Sequence, residues 1–525
     1  MRSTAPLSAP PALPTTRALV IGLGGGLAMA QSHLPLGIWL GGPLGAGALA
    51  LIAIRSSSTR IAARAGFAFG LAAYLPALGW LYIGVRADDA PVLAYAAPSL
   101  LIASFALLPA IAAAIVRHCH RSIGLAALCA LPALWCIGEW LRQFGEFRFP
   151  WTQLAYGQLD GPMAYFLPLV GVPGVGLLVI SLGVLLSFPW LASARRTQAV
   201  GLGAACILLL LGMALRGVVW TQASGEPVSV ALLQGNFPLN EKFDTDKAIE
   251  ALQVYATFAS RSQAQVSIVP ETALPMADTE LPAGYLQTLT DTARQQQRDL
   301  LLSFFRPATP RTGQGKADSK HGHHNSARVL GVSGTLNYDK RILLPFGEYV
   351  PAARWLTPLY RRIATVPMIH TIAGKDAQAP LILGGRRVAL RLCFEDLFGN
   401  FQRAEVAAAN YLVVLANDSW DGSDLPTHQH LRVAQARARE AAKPVVRVAN
   451  TGWSGVIGHD GTLGAQLPLH ARAVLETTVQ GRSGITPYVR HGDSLPLGLA
   501  LLLLGITAVH GRTRVVVLRT RSMPT

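Results

Sequence analysis

The chain has 525 residues, of which 51% are hydrophobic and only 14% are charged, and its mean hydropathy is +0.35. Soluble globular proteins carry about 25% charged residues, so this composition excludes an ordinary soluble protein and favours a membrane protein. The formal net charge is +16, but the Arg residues form short clusters between apolar stretches and do not line one basic face. This distribution predicts contact with anionic membrane lipids and no nucleic-acid partner.

Eight apolar stretches are long enough to cross about 30 Å of hydrocarbon. They lie near 18–31, 34–54, 61–84, 91–116, 123–141, 164–192, 199–219 and 494–511. A soluble protein with buried helices is the alternative, but core helices are rarely apolar over this length so many times. Arg clusters mark alternate loops, so the positive-inside rule predicts that both termini are cytoplasmic. The predicted organisation is a seven-helix membrane domain at 1–220, a periplasmic domain at 221–490, and an eighth helix with a cytoplasmic tail at 491–525.

The region between residues 225 and 490 alternates short β-rich runs with amphipathic stretches, which predicts a layered α/β domain with a buried sheet. The predicted strands are 227–234, 266–270, 300–305, 328–336, 386–393, 411–417 and 444–450. The predicted helices are 246–262, 284–298 and 428–442, and 311–325 is predicted to be a surface loop.

Cys393 is the only one of five cysteines in this polar region, so no disulfide can form within it. It ends the apolar run RRVALRLC and precedes a stretch that can begin a helix with two acidic residues in its first turn. Such an elbow exposes a nucleophile, and the helix N-terminus is expected to lower the pKa of the thiol. An inert packed cysteine is the commoner interpretation of a lone thiol.

Two other segments strengthen the interpretation of Cys393 as a nucleophile. Glu271 in VPETALP lies where a strand ends between two prolines, at the edge where α/β sheets present functional groups. Lys340 and Glu348 lie in YDKRILLPFGEYVP, a mostly apolar stretch. Each of these charges alone could be a surface charge.

Together these segments resemble the ordered Glu-Lys-Cys triad of the nitrilase superfamily. The flanking apolar stretches, PFGEYVP and NDSW make the chain similar to the apolipoprotein N-acyltransferase family. The similarity covers nearly the whole chain, through EWLR at 139–142, FPW at 149–151, GQ at 157–158, QGN at 234–236, HNS at 324–326 and ANTG at 449–452.

The resemblance implies a membrane bundle of eight transmembrane helices and an αββα nitrilase-like sandwich. It further implies that Glu271 is the general base and acid, Lys340 stabilises the oxyanion and Cys393 is the nucleophile. Glu348 and Glu395 match supporting acidic positions. These roles agree with the chemistry, because a thiol needs a base and a developing oxyanion needs donors such as an ammonium and the Phe394 N–H.

The implied reaction moves an acyl chain from a phospholipid, through a Cys thioester, to the amino group of an S-diacylglyceryl-cysteine at the N-terminus of an apolipoprotein. The implied location is the bacterial inner membrane, and the partners are the phospholipid donor, the diacylated acceptor and the surrounding lipids. We expect no metal or organic cofactor, and a monomer.

Three positions depart from the family pattern: Phe243 and Phe394 replace a Trp and a Tyr, and Asp421 replaces a Phe. The aromatic exchanges keep apolar bulk but lose a hydrogen-bond donor, so they bear on efficiency or substrate preference. The Asp changes the polarity of its position.

Several features have alternative interpretations. His321, His323 and His324 could bind a metal, but they lack a Cys or carboxylate at ligand spacing. Glu139 and Arg142 could belong to a transport pathway, although contact with headgroups is favoured by their place near a predicted interface, where Trp140 and Trp151 suit an aromatic belt.

Two other functions compete with acyl transfer. A membrane-anchored amidase or nitrilase would use the same triad and release its product to water. A transporter with a binding domain would have paired broken helices and no need of the triad.

The segment 351–371 is the last predicted feature. Trp355, Leu359 and Tyr360 fall at helical spacing and several Arg residues accompany them, which suits a helix at a membrane interface as well as a helix packed in the core. Because Trp, Tyr and Arg favour the interface, we expect a lid that admits an acyl chain and then excludes water.

Overall fold

The computed structural model describes residues 12–83, 91–238, 241, 244–308, 322–360, 371–418 and 423–521. The N-terminal part is helical. Its α-helices are α1 Thr15–Gln31, α2 Gly41–Arg55, α3 Thr59–Leu78, α4 Pro91–Ile123, α5 Ala130–Leu141, α6 Leu167–Leu186, α7 Phe188–Leu191 and α8 Arg195–Leu215. Short 3-10 helices lie at Gly79–Tyr82, Gly124–Cys129, Leu154–Gln158 and Pro162–Phe166.

A helix lies at each of the eight apolar stretches. Four helical spans among the described residues are long and apolar enough to cross a membrane: Thr59–Tyr82, Tyr95–His120, Pro162–Leu186 and Arg195–Leu215. Gly41–Arg55, Ala126–Leu141 and Ser494–His510 are apolar but shorter. The structure therefore establishes four candidate membrane helices, and the bundle of eight spans stays a prediction.

Small residues let the first and third helices approach closely. A Cβ atom at Gly22 would lie 2.5 Å from the Ala65 carbonyl oxygen, and one at Gly26 would lie 2.2 Å from the Phe69 carbonyl oxygen. Glycines four residues apart on one helix face are a common device for close packing of membrane helices.

The second part of the chain is an α/β domain. Its strands are β1 Gln222–Ala223, β2 Val228–Gln234, β3 Val266–Ile268, β4 Asp299–Pro307, β5 His323–Gly331, β6 Leu336–Asp339, β7 Leu381–Leu383, β8 Arg386–Leu392, β9 Tyr411–Ala416, β10 Val445–Ala449, β11 Gly455–Ile457, β12 Leu463–Gln466, β13 Ala473–Val479 and β14 Arg482–Ser483. Its helices are α9 Thr245–Arg261, α10 Tyr285–Gln295, α11 Ala353–Tyr360, α12 Arg403–Ala408 and α13 Leu425–Ala441, followed by α14 Pro487–His491 and α15 Ser494–Arg521.

The strands form two six-stranded sheets, with the orders β13-β2-β3-β4-β5-β6 and β12-β11-β10-β9-β8-β7. Side chains such as Val230 and Ile268 from the first sheet pack against Leu390 and Val413 from the second in one core. The helices α9 and α10 cover the outer face of the first sheet, and α12 and α13 cover the outer face of the second. This is the αββα sandwich that the resemblance implied.

Two expectations about elements are wrong, and one long strand was not predicted. The predicted strand 328–336 is two strands, because the chain turns at 332–335, where Gly331 and Gly334 adopt positive φ angles of 139° and 92°. Residues 323–325 belong to β5 and not to a surface loop. The strand Ala473–Val479 was missed, although it pairs along its whole length with β2. Residues 309–321 of the predicted loop lie outside the described residues.

One face of α13 packs on the helical part of the chain. The Gln429 amide oxygen accepts hydrogen bonds from the indole N–H groups of Trp151 (2.6 Å) and Trp80 (3.2 Å). Its amide nitrogen donates to the backbone oxygens of Ala77 and His33. Gln429, with both ends of its amide bonded to the helical part, is one of the polar contacts that dock the α/β domain on the helices alongside apolar contacts.

Candidate active site

Cys393 lies on a strained turn at the end of a buried strand. It follows β8 immediately and has a φ angle of 48°, a left-handed conformation that non-glycine residues rarely adopt. The residues that follow form a short 3-10 helix, Cys393–Leu397. Strain of this kind is held in place by surrounding structure and is typical of functional elbows.

Glu271 and Lys340 come from the neighbouring sheet. Glu271 follows β3, on a turn where Thr272 has a φ angle of 44° and donates its N–H to the Ser303 hydroxyl at 2.8 Å. Lys340 follows β6 directly. Its Nζ atom lies 2.9 Å from Glu271 Oε1 and 2.8 Å from Glu348 Oε2, so one ammonium lies between two carboxylates.

Asn325 joins the two carboxylates and was not predicted as a site residue. Its Nδ2 atom donates to Glu271 Oε1 and to Glu348 Oε1, both at 2.9 Å. Its backbone oxygen accepts the Lys340 N–H at 2.8 Å. The only sequence signal was the HNS motif, which contributed to the resemblance without a role.

The charge of Lys340 depends on these partners. Burial alone would lower the pKa of this ammonium, because only 2% of the residue is exposed. The carboxylates of Glu271 and Glu348 outweigh burial and raise the pKa of Lys340 well above its ordinary value. Lys340 therefore carries a positive charge at neutral pH, and this charge acts on the Cys393 thiol.

The expectation of a lowered thiol pKa is wrong. Burial and the negative charge of Glu271 raise the pKa of Cys393 well above its ordinary value, and the opposing effects of Lys340 and the Asn417 N–H do not compensate. The predicted helix is only a five-residue 3-10 turn, so no long helix dipole faces the sulfur. The resting side chain of Cys393 is therefore a thiol, which would need a base to become a thiolate.

Glu395 holds the elbow against the Lys340 segment. Its Oε2 atom accepts the Leu392 N–H at 2.8 Å and the Tyr338 hydroxyl at 2.9 Å. Its Oε1 atom accepts the Arg341 N–H at 2.6 Å. Burial raises the pKa of Glu395, and the hydrogen bonds from the backbone oppose this effect. Glu395 thus fixes the position of Cys393 relative to Lys340.

Phe394 connects the elbow to the helical part of the chain. Its ring is buried and stacks on Phe149 with centroids 6.2 Å apart, and Phe149 stacks on Trp151 at 5.7 Å. An aromatic wall therefore runs from the helices to the residue that follows the cysteine.

The segment after Glu348 contacts a loop between the helices. The Tyr349 hydroxyl donates to the Glu146 backbone oxygen at 2.5 Å, and the Ala352 N–H donates to Glu146 Oε2 at 2.6 Å. The predicted helix of the lid segment is α11, and Trp355 on it is 75% exposed. The side chains of Leu359 and Tyr360 and all of residues 361–370 lie outside the described residues.

Some of the other predicted positions are described by the structure and some are not. Phe243, His321 and Asp421 lie outside the described residues. His324 bonds through Nδ1 to the Ile372 backbone oxygen at 2.7 Å, and His323 lies beside it on β5.

Glu139 and Trp151 were expected at a headgroup surface, but the structure places both inside the protein. Glu139 is fully buried and accepts the Leu154 N–H at 2.9 Å, and Trp151 is buried against Gln429. Arg142 donates to the Tyr74 hydroxyl at 3.0 Å, and Trp140 donates to Asp493 at 3.1 Å. These four side chains make internal contacts.

Within the described ranges, Cys393, Asp418 and His430 form the one group with the composition of a metal site, with ligand atoms within 4.8 Å of one another. The Arg447 guanidinium, however, is paired with Asp418 and lies 3.3 Å from His430 Nδ1. Its positive charge opposes a second cation at this position.

Comparisons with known proteins cover nearly the whole chain. The family model of the apolipoprotein N-acyltransferase N-terminal domain matches residues 25–185, and the carbon-nitrogen hydrolase model matches residues 229–488. An apolipoprotein N-acyltransferase of Nitrosomonas europaea is 35% identical over 478 residues, covering 89% of this chain and 92% of the relative.

A second apolipoprotein N-acyltransferase, from Ralstonia nicotianae, is 34% identical and covers 87% of this chain and 86% of the relative. Among solved structures, the C. elegans NitFhit protein overlaps 51% of this chain and 63% of its own at 16% identity. Its TM-score is 0.37, too low to support a conclusion.

Proposed function

This chain belongs to the apolipoprotein N-acyltransferase family, and from that premise we propose how its residues carry out acyl transfer. The enzyme moves a fatty acyl chain from a lipid donor to the N-terminal amino group of a lipoprotein. One observation carries the proposed roles: Cys393 lies on a left-handed turn, where the charges of Glu271 and Lys340 both act on its thiol.

In the first half of the reaction, Glu271 takes the proton of the Cys393 thiol, and the thiolate attacks the ester carbonyl of a phospholipid. The carbonyl oxygen becomes an oxyanion, which the Lys340 ammonium and the Phe394 N–H stabilise. When the tetrahedral intermediate collapses, the protonated Glu271 gives its proton to the departing glycerol oxygen. The products are a Cys393 thioester and a lysophospholipid.

In the second half, the amino group of an S-diacylglyceryl-cysteine attacks the thioester. Glu271 accepts the proton of the attacking amine, and the same donors stabilise the second oxyanion. As that intermediate collapses, the Cys393 sulfur leaves and takes the proton from Glu271. The acyl chain ends in an amide, and the enzyme returns to its starting state. Glu348 keeps Lys340 charged and Glu395 keeps the elbow in place, so neither needs to contact the substrate.

The proposed placement in the cell follows from the distribution of charge. Residues 1–220 and 491–525 belong to the inner membrane, and residues 221–490 face the periplasm, where lipoprotein N-termini are processed. Both termini are cytoplasmic by the positive-inside rule. The partners are a phospholipid donor and a diacylated apolipoprotein, and the enzyme acts as a monomer.

The proposed lid is the segment that begins with α11. Trp355 is 75% exposed on a helix that directly follows the contacts to Glu146. Tryptophan favours the membrane interface, so we place Trp355, Leu359 and Tyr360 in the outer leaflet, where they control entry of the acyl chain. Exclusion of water matters because hydrolysis of the thioester would waste the donor.

A double substitution tests the lid. Trp355→Ser with Leu359→Ser should strongly reduce acylation by phospholipid, while iodoacetamide should still label Cys393. Equal loss of both reactions indicates a misfolded domain, and unchanged acylation contradicts the lid.

The experiment that tests the function compares acyl transfer to a lipopeptide with acyl transfer to water. Purified enzyme is incubated in detergent with phospholipid, with and without a diacylglyceryl-cysteine lipopeptide, and the products are identified by mass spectrometry. We expect N-acyl lipopeptide in the presence of the acceptor and little free fatty acid in its absence. Release of fatty acid at the same rate in both reactions would favour a membrane-anchored amidase-type hydrolase.

A further inference from the structure

One polar side chain interrupts an apolar strand next to the turn that carries Glu271. Ser303 lies in the run LLLSFF at 300–305 of β4, and every residue of this run is buried. The Ser303 side chain itself is fully buried. A hydroxyl group in such a place costs free energy unless it is hydrogen-bonded, and apolar residues are far more common there. The hydrogen bonds of Ser303 therefore indicate its role.

The Ser303 hydroxyl makes two hydrogen bonds to backbone groups. It accepts the Thr272 N–H at 2.8 Å and donates to the Ser326 backbone oxygen on β5 at 3.0 Å. A hydroxyl has one hydrogen, so when that hydrogen is directed at Ser326 the lone pairs of the oxygen are available to the Thr272 N–H. The neighbouring strand thus orients the hydroxyl as an acceptor for the turn after Glu271.

The turn after β3 is bonded to β4 at both of its ends and in its middle. Backbone N–H groups at the two ends donate to backbone oxygens of β4 at 3.1 Å, from Val269 to Leu301 and from Leu274 to Ser303. Between these ends, Thr272 has a left-handed φ angle of 44°, which the surrounding structure must hold. The Thr272 N–H belongs to the same peptide as the Glu271 carbonyl. Its bond to the Ser303 hydroxyl therefore fixes the backbone that carries the Glu271 side chain.

The carboxylate of Glu271 is held at its other end by separate contacts. Lys340 Nζ and Asn325 Nδ2 each lie 2.9 Å from Glu271 Oε1. A general base must also reach the proton that it removes, which here belongs to Cys393 at the end of a strand of the facing sheet. With Oε1 held by two partners, the direction of the second carboxylate oxygen depends on where the Glu271 backbone lies.

We propose that Ser303 is a positioning residue for the general base. Its hydroxyl holds the left-handed peptide after Glu271 and so keeps the carboxylate directed at the Cys393 thiol. This inference rests on the proposed function of Glu271 and Cys393, and Ser303 itself takes no part in proton transfer. The thiol pKa of Cys393 lies well above its ordinary value, so attack at neutral pH requires a base within reach.

Substitutions of Ser303 separate the hydroxyl from the size of the side chain. Ser303→Thr keeps a hydroxyl and adds a methyl group, and Ser303→Val has the same shape without the hydroxyl. Ser303→Ala removes the hydroxyl without added bulk, and it replaces this pair if the branched variants do not give monodisperse protein. Ser454→Ala is the matched control, because the Ser454 hydroxyl is also fully buried and bonds to the backbone N–H and oxygen of Ala449 at 2.9 and 3.1 Å.

The readout is acetylation of Cys393 by p-nitrophenyl acetate across a pH series, with the full chain in detergent, without lipid, and with the Cys393→Ala rate subtracted. This small donor does not depend on the proposed lid, and its nitrophenolate leaves without a proton. At about pH 7 we expect Ser303→Val and Ser303→Ala to react roughly tenfold more slowly than the wild type, part of the 10²–10⁴ that general acid–base catalysis contributes. The deficit should shrink as the pH rises, because hydroxide then removes the thiol proton without Glu271. Ser303→Thr should react faster than Ser303→Val, and Ser454→Ala should follow the wild-type profile.

Three results overturn the positioning role. The first is a wild-type profile for folded Ser303→Ala. The second is a deficit that stays constant across the pH series, because a loss of active enzyme lowers the rate by the same factor at every pH. The third is an equal rate for Ser303→Thr and Ser303→Val, because bulk and not the hydroxyl would then decide. A failure of the proposed function differs from all three: the intact mass of the wild type would show no acetyl group on Cys393, which refutes the nucleophile and this inference with it.

Discussion

Replacing Glu348 with Gln removes one of the two negative charges that hold Lys340. The Lys340 Nζ to Glu348 Oε2 distance is 2.8 Å, and the two side chains are 2% and 15% exposed. With an effective dielectric constant of about 20, the Coulomb attraction over this distance is about 6 kcal/mol before any desolvation is counted. The Gln side chain keeps the size of Glu, and its one acceptor oxygen can still accept the Leu344 hydrogen bond. Its nitrogen cannot accept from Asn325, so the variant loses that hydrogen bond together with the charge.

The loss should lower the pKa of Lys340, because Glu348 is one of the groups that raise it. Lys340 stabilises the oxyanion only while it is protonated, so activity should decline at a lower pH in the variant than in the wild type. At pH 7 the ammonium persists through Glu271, and thioester formation should slow by roughly tenfold, less than the 10²–10³ that loss of an oxyanion donor costs. The measurement is the rate of thioester formation from phospholipid between pH 6 and 11.

Glu405→Gln is the matched control for this substitution. Glu405 pairs with Arg341 at 3.1 Å and has no contact with Lys340 among the hydrogen bonds and ion pairs of the described residues. Its variant should keep the wild-type profile. If Glu348→Gln shows the same alkaline limb as the wild type, Glu348 does not hold the charge of Lys340 and its assigned role is wrong.

Three other substitutions have clear expected outcomes. Asn325→Ala deletes the hydrogen bonds to the Glu271 and Glu348 carboxylates, each worth about 1.5–3 kcal/mol. The variant should have a lower thermal midpoint and slower thioester formation. An unchanged thermal midpoint contradicts the bridging role. Gln429→Ala removes the acceptor of the buried Trp151 indole N–H, which costs about 1–3 kcal/mol. Its thermal midpoint should therefore fall below that of Gln435→Ala on the same helix, and equal midpoints would argue against docking through Gln429. The Gln of Glu395→Gln has one acceptor oxygen, so it cannot accept both the Leu392 and the Arg341 N–H, and the less well fixed elbow should slow iodoacetamide labelling of Cys393. Faster labelling would show that Glu395 restrains the thiol by charge alone.

Cys393 and Glu271 were accessible to sequence reasoning because each lies next to a predicted strand end, whereas Lys340 was assigned from the family resemblance. Apolar runs ending in Cys393 and just before Glu271 locate those side chains at the edges of the sheets without knowledge of the sheet order. The structure then brings Glu271, Lys340 and Glu348 within direct contact. Their catalytic roles remain predictions.

Other parts of the site depend on pairings between distant strands. Asn325 reaches Glu271 because β5 lies between β4 and β6, and nothing in the HNS motif specifies which carboxylates it would meet. The thiol pKa of Cys393 was mispredicted for a related reason: its local turn suggested a helix dipole, whereas burial and Glu271, which is distant in sequence, decide the direction. The break in 328–336 depended on positive φ at Gly331 and Gly334, which a β-rich pattern does not reveal.

Intact-mass spectrometry of the purified enzyme with phospholipid alone tests the central claim most directly. We expect the mass of the wild type to rise by one acyl group and to return to its starting value when the lipopeptide is added. Cys393→Ala should show neither change, and Glu271→Gln should show no acylation because the thiol lacks its base. An acylated Cys393→Ala protein, or a wild type that transfers the acyl chain without ever carrying it, would contradict a Cys393 thioester.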